Sequence, residues 1–233
     1  MKLKKAMLFA AGLGERMRPL TLNNPKPLLP LGPRPIIDYS LFYLKNFGIE
    51  EVVINLFYLG EKIEQHCGDG KNYGLKISYS KETELLGTGG GLKKAEAFFK
   101  NEETFVTMNS DTLINCDLSQ VMELHAEQKS PATLVVAPWQ EGYTRLQVAN
   151  NRLLDVKQGE HLFTGLMILS PKIFEPLPEK KSNLILDGVV PLMQTVKSIT
   201  AFAHEGYWRD IGTLESYQRA QEEWAASHHN RLV

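Results

Sequence analysis

The chain has 233 residues, 43% hydrophobic and 23% charged, enough apolar material for one large domain or two small ones. Its formal net charge of −1 gives no sign of a general nucleic-acid or membrane-surface partner, so any anion site must be local. Two cysteines, Cys67 and Cys116, have no metal-ligand spacing and are expected as buried or incidental thiols.

The N-terminal MKLKKAMLFAAG carries positive charge and then a short apolar run. The run is too short to span a membrane, and charge and glycine follow at once, so a buried parallel strand over 6–11 is expected instead of a signal peptide. No other run approaches a membrane-spanning length, and a cytoplasmic protein is expected. PIIDYSLFYLKNFG predicts a helix with Ile37, Leu41, Leu44 and Phe47 on one face and Gly48 in a C-terminal capping position. Strands are predicted at 51–56 (EVVINL), 75–80 (LKISYS) and 104–109 (TFVTMN), with helices in EKIEQHCG and at 91–100 (GLKKAEAFFK) between them. LSQVMELHAEQK predicts a further helix and ATLVVAP (132–138) a further strand. Strands alternating with helices in this way imply a doubly wound, mostly parallel, Rossmann-like α/β sheet, with ligands beyond the carboxyl ends of its strands.

After about residue 140 the texture changes. RLQVANNRLLDVKQ predicts two strands joined by a turn at Asn150-Asn151, and HLFTGLMILS (161–170) one more strand, a small antiparallel extension to the sheet. A helix around 184–196, the strand SITAFAH and a last helix from Thr213 complete the pattern. That last helix is expected to bury Leu214, Tyr217 and Trp224. No repeat or low-complexity linker interrupts the chain, and a single domain over 1–227 is expected.

The stretch AAGLGERMRPLTLNNPKPLLPLG (10–32) is far longer than a reversing turn needs, and it concentrates glycine, proline, arginine and lysine. It fails the dinucleotide fingerprint, because Met17 stands at the third glycine, and it contains no Walker A loop. The physics still favours an anion. Glycines let backbone N–H groups approach phosphate oxygens, Arg16 offers a planar fork of donors, Lys26 offers a point charge, and the prolines stiffen the loop. Read alone, the same stretch could be a surface loop with solvated charges.

The order G-x-G-x-R-M-x-P-L-T then P-K-P-L, here Gly12, Gly14, Arg16, Met17, Pro19, Leu20, Thr21, Pro25, Lys26, Pro27 and Leu28, resembles the signature of sugar-1-phosphate nucleotidylyltransferases, the NDP-sugar pyrophosphorylases. Three later segments fit the resemblance in order. ELLGTGGGLKKA (84–95) resembles the family's loop against base and sugar, though a glycine-rich connector would read the same way. FVTMNSD (105–111) ends in Asp111, a carboxylate placed either to hold Mg²⁺ or to serve as a turn residue or N-cap. GYWRDIGTLESY (206–217) resembles the family's W-x-D-I-G-T segment, in which Asp210 would be the second metal carboxylate or else an ordinary loop residue.

The resemblance implies transfer of a nucleotidyl group from an NTP to a sugar 1-phosphate, with Mg²⁺ as cofactor and no nucleic-acid or membrane partner. Arg16 and Lys26 would be catalytic, stabilising charge on the phosphates. Ala11, Gly12, Gly14, Gly87 and Thr88 would bind nucleotide, Asp111 and Asp210 metal, and Asn109, Lys157, Thr164 and Gly165 sugar. The nucleotide-binding half would run over about 1–115 and the sugar-binding half over about 116–227. Many relatives carry E-K-P mid-chain; here only Lys157, in LLDVKQGEHLFTG, could supply that lysine. The triple glycine and the compact HLFTGLMILSPKIF segment resemble the short branch containing the N-acetylmuramate-1-phosphate uridylyltransferases, and the acetyltransferase β-helix that some relatives append is not expected. UTP with an amino-sugar phosphate is therefore expected, as a monomer or homodimer. Guanylyl transfer to mannose or heptose phosphate, cytidylyl transfer to a non-sugar phosphate, a catalytically silent nucleotide-sugar sensor and a glycosyltransferase are the alternatives. The six histidines, His66, His125, His161, His204, His228 and His229, show no catalytic or metal spacing and are expected in surface or core roles.

Overall fold

The computed structural model of the chain describes residues 3–196 and 198–226. His228 and His229 lie outside them. In chain order, β1 (Lys5–Phe9) is followed by β2 (Pro30–Leu31), β3 (Arg34–Pro35), α1 (Ile36–Asn46), β4 (Glu51–Leu56), α2 (Gly60–Cys67) and β5 (Lys76–Lys81). Then come α3 (Gly87–Lys94), β6 (Phe105–Asn109), β7 (Thr112–Ile114), α4 (Leu118–Gln128), β8 (Ala132–Pro138), β9 (Gln147–Ala149) and β10 (Arg152–Asp155). The remainder is β11 (His161–Leu169), α5 (Val190–Thr195), β12 (Ile199–Ala203), β13 (Trp208–Asp210) and α6 (Leu214–Ala226). Nine strands form one mixed sheet in the order β5-β4-β1-β6-β11-β8-β12-β10-β9, and β2-β3 and β7-β13 are short antiparallel pairs outside it. This is the expected α/β class. No helix among the described residues is long and apolar enough to cross a membrane.

The chain divides into two compact units. The first comprises Lys4–Leu85, Met108–Asn115 and Tyr207–Val233. In it β1, β4 and β5 are parallel, with Met7 opposite Val53 and Val53 opposite Ser78. The apolar middle of β1, Ala6 to Leu8, is fully buried, which is why six apolar residues in a row read as a strand and not as an exposed tail. A second core seats the long loop: Met17, Leu29 and Leu31 pack with Ile36, Tyr39, Leu113, Ile211, Tyr217 and Ala220. The phenols of Tyr39 and Tyr217 cap the carbonyls of Leu31 and Pro30, both at 2.6 Å. Helix α6 starts on a reciprocal cap, with Ser216 N–H donating to Thr213 Oγ1 at 3.1 Å and Thr213 N–H to Ser216 Oγ at 3.0 Å. Its buried stripe is Tyr217 and Ala220, with Trp224 set edge-on to Tyr39 at 5.2 Å. Leu214, expected on that stripe, is 37% exposed, because the first residue of the helix falls beyond the packed surface.

The second unit comprises Met1–Leu3, Leu86–Thr107 and Cys116–Gly206. Strand β8 pairs antiparallel with β11 and parallel with β12, and β10 pairs antiparallel with β12 and β9. Asn150 and Asn151 both take positive φ (50° and 58°), the twist a two-residue hairpin requires. Phe99, Phe105 and Phe174 stack in the core, with Phe99 and Phe105 centroids 4.0 Å apart. The helix expected over 91–100 instead opens at Gly87, closes at Lys94 and passes into a 3-10 turn over Glu96–Phe99. The one expected over 184–196 is a π turn over Leu184–Val189 joined to α5; Pro191 lacks the N–H that a continuous α ladder would use there.

Candidate active site

In the sheet β4 and β5 lie to one side of β1 and β6, whose last two residues belong to the first unit, to the other, so strand order reverses at β1. Ligands of doubly wound sheets bind beyond the carboxyl ends at such a reversal. Ser110 N–H, just past β6, donates to Phe9 O at 3.1 Å, and the long loop leaves from that point. Ala10 and Ala11 are buried, while a Cβ on Gly12 would meet nothing within 4 Å, so the Gly12 backbone stands open to an approaching group. Gly14 is left-handed (φ 64°), and its carbonyl receives Thr21 Oγ1 at 2.7 Å and Met17 N–H at 3.0 Å. That turn buries Met17 and leaves the Arg16 side chain exposed on the opposite face. Further along, Tyr58 Oη donates to Thr21 O at 3.0 Å, and buried Pro25 and Pro27 flank Lys26 in a 3-10 turn. Lys26 Nζ then forms an ion pair with Asp111 Oδ2.

The second aspartate arrives through a two-stranded ladder that the sequence reading did not foresee. Strand β13 runs antiparallel to β7, Trp208 opposite Ile114 and Asp210 opposite Thr112, and Ile211 N–H extends the ladder to Asp111 O at 2.9 Å. Each strand is three residues long, too short for a periodicity to show. Behind it, Arg209 Nε and Tyr207 Oη both donate to Glu223 Oε2 at 2.8 Å, tying β13 to α6. A Cβ added to Gly212 would lie 2.9 Å from both Arg16 Nη2 and Asp210 Oδ2, so Gly212 is what allows guanidinium and carboxylate to share that corner. Gly212 is a site residue that its place in the I-G-T stretch did not single out.

The carboxylates of Asp111, just before β7, and of Asp210, in β13, are hard oxygen donors of the kind that suits Mg²⁺, an ion that completes its shell with phosphate oxygens and water. Among the described residues no group of three or more His, Cys, Asp or Glu side chains could hold a metal ion. Asn109 ends β6 beside this corner, half-buried. Both thiols are buried and burial pushes each up to about 12, so neither is a poised nucleophile.

The remaining expected residues lie in the second unit. Gly87 has φ 70°, and a Cβ there would sit 2.5 Å from Ser182 O; Gly89 N–H donates to that same carbonyl at 3.0 Å. Thr88 Oγ1 accepts from Leu184 N–H at 3.0 Å. The triple glycine thus has a close-packing reason of its own, the approach of the 180–184 backbone. In β11, the register shifts between Phe163 and Met167. Gly165 takes φ 91° in that bulge, and buried Thr164 donates through Oγ1 to Val135 O at 2.8 Å. Lys157 is exposed. Its neighbour Val156 and Thr164's neighbour Phe163 line a cavity of about 220 Å³ with Tyr143, Leu146, Ile185 and Leu186.

The family model described as Nucleotidyl transferase matches residues 5–144 of the chain. The chain is 34% identical over 229 residues to the D-glycero-alpha-D-manno-heptose 1-phosphate guanylyltransferase of Aneurinibacillus thermoaerophilus, covering 94% of this chain and 97% of that one. It is likewise 34% identical over 227 residues to the N-acetylmuramate alpha-1-phosphate uridylyltransferase of Neisseria meningitidis serogroup B, covering 93% and 96%. Of several longer curated relatives it spans 62% of the length. Its fold is similar to that of HddC from Yersinia pseudotuberculosis, with a TM-score of 0.81 at 24% identity over 95% of this chain and 100% of that one. A loop of this composition at the reversal of a parallel sheet, matched by the family model and by relatives along almost their whole length, places the chain in the nucleotidyl transferase family.

Proposed function

We propose that the chain joins a nucleoside triphosphate to a sugar 1-phosphate, giving an NDP-sugar and pyrophosphate. The observation that carries this reading is the pairing of Lys26 with Asp111 and the meeting of Arg16 with Asp210 over Gly212, linked by the β7–β13 ladder in the same unit as the open Gly12 backbone. An oxygen of the sugar phosphate attacks the α-phosphorus, the new P–O bond forms, and the bond to the bridging oxygen breaks as pyrophosphate leaves. A phosphate monoester loses its second proton with a pKa of about 6, so the attacking oxygen needs no base. The absence of a poised thiol fits that chemistry.

Catalysis then rests on positioning and charge. The Arg16 fork suits the β and γ phosphates, the Lys26 point charge suits the α-phosphate, and the backbone of Ala11, Gly12 and Gly14 suits the oxygens between them. Asp111 and Asp210 would hold Mg²⁺, which when bound neutralises charge on the triphosphate. Gly87 and Thr88 are assigned to the base and ribose, and Asn109, Lys157, Thr164 and Gly165 to the sugar.

For the substrates, UTP and N-acetylmuramate 1-phosphate or a related acylated amino sugar are proposed. The lining of the cavity beside Phe163, mostly apolar with Thr144 and Asn183 among it, suits an acyl substituent. Pyrophosphate release is to be measured with Mg²⁺ for UTP, GTP, CTP and dTTP, each against N-acetylmuramate, N-acetylglucosamine, glucose, mannose and heptose 1-phosphates. Turnover with UTP and an acylated sugar supports the full reading. Turnover with GTP and mannose or heptose phosphate keeps the reaction and replaces the substrates. Nucleotide-sugar binding without turnover overturns the enzymatic reading in favour of a sensor.

A further inference from the structure

Strand β1 ends at Phe9, which pairs in register with Asn55 of β4. The next amide, Ala10, is buried where the chain leaves the strand for the loop, and a buried N–H needs an acceptor. Asn55 Oδ1 supplies it at 2.8 Å. The Asn55 side chain is 2% exposed and donates in turn, through Nδ2, to Glu82 Oε1 at 2.7 Å. Glu82 follows directly on β5, is 7% exposed, and is fixed by its own N–H donating to Leu56 O at 2.8 Å. A carboxylate only accepts. It therefore decides which end of the Asn55 amide faces it: the NH₂ turns to Glu82 and the oxygen is left for Ala10. One line of side chains thus spans the carboxyl ends of three parallel strands and terminates on the first peptide of the glycine loop.

We propose that Asn55 and Glu82 are positioning residues for the nucleotide, holding the Ala10 peptide so that the amides of Ala11 and Gly12 face the triphosphate. Neither touches the reacting atoms. The inference rests on the nucleotidyl-transfer reading, and it specifies where the effect falls: on nucleotide affinity, not on the acceptor sugar.

Asn55→Asp removes the donor and sets a second carboxylate against Glu82. Adding Glu82→Gln reverses the bond without changing its shape, since the new glutamine amide donates to the new aspartate, whose other oxygen still accepts from Ala10. The expected result for N55D is faster hydrogen exchange at Ala10–Gly12 and roughly tenfold weaker binding of UTP, or of GTP if that is what the wild type binds, with the KM for the sugar phosphate unchanged. The N55D/E82Q chain is expected to return exchange and affinity to within about threefold of wild type. If N55D does not fold, Glu82→Ala takes its place: it leaves the Asn55 amide unoriented and weakens triphosphate binding, whereas the double variant does not. Unchanged affinity in the single variant, or affinity that the second substitution fails to restore, overturns the inference alone. A wild-type chain that binds no triphosphate overturns the nucleotidyl-transfer reading and takes this inference with it.

Discussion

Lys26 and Asp111 form an ion pair with side chains only 16% and 14% exposed, so the proposed phosphate-binding ammonium and the proposed metal-binding carboxylate neutralise each other. Substituting one partner leaves the other charge poorly solvated. Lys26→Met is expected to cost about 1–3 kcal/mol of stability, the penalty for an unpaired, largely buried polar group. Asp111→Asn is expected to lower kcat ~10²-fold or more, on the scale of one preorganised electrostatic contact. Urea denaturation and pyrophosphate release measure the two. Turnover near wild type in the Asp111 variant would remove that residue from the mechanism.

Gly212→Ala tests the shared corner. Its Cβ would intrude at 2.9 Å on the ends of two side chains, Arg16 and Asp210, which can swing away at little cost to the fold. A variant with a melting temperature near wild type and a kcat reduced about 10²-fold is expected, from misplacement of both charges. A large loss of stability with normal kcat in the folded fraction would make the glycine a packing residue only.

Gly90→Ala tests the other role of glycine. There the added Cβ would run into the Lys180 carbonyl, which is backbone and cannot swing aside, and into Leu86 Cβ at 3.1 Å. A loss of about 1–3 kcal/mol is expected from overpacking, read from the urea midpoint. A neutral Gly90→Ala would mean that the 180–184 segment yields easily.

Burial holds the His125 imidazole down at about 4, from 6.5, with its Nδ1 2.8 Å from Thr133 Oγ1. Below 6.5 the unfolded chain binds a proton that the folded chain refuses. Stability from this group is therefore complete above that pH and falls as pH drops toward 4, by at most about 1.4 kcal/mol per pH unit. His125→Gln should flatten the dependence of the urea midpoint between about pH 7 and about pH 4. An unchanged slope would assign acid sensitivity to other groups.

The strands of the buried sheet were legible because their burial is encoded locally. EVVINL and ATLVVAP match β4 and β8 residue for residue, since strands buried over most of their length are mostly apolar in sequence. Motif order is what singled out the proposed cations and carboxylates. The means of assembly was not legible: β7 and β13 are too short for a pattern, and Gly212 matters only because two distant side chains meet above it. Asn55 and Glu82 escaped for a related reason. One polar residue inside a buried strand and one carboxylate after another carry no periodic signal, and their bond depends on strand neighbours that only the folded sheet supplies. The glycines at 87–90 read as donors for a ligand, yet the bulk they lack is taken up by the chain's own backbone, a relation between segments far apart in sequence.

The β7–β13 ladder also dates the site. Asp111 and the glycine loop leave the ribosome early, but Asp210 reaches them only when β13 has been made and has paired with β7. A nascent chain that stops before that strand would carry the loop, Lys26 and Asp111 but lack Asp210, together with the Ile211, Tyr217 and Ala220 that pack against Met17, Leu29 and Leu31 of the loop. The second aspartate and the residues that seat the loop thus come from one late segment, and the corner is assembled only once residues 208–220 have been made.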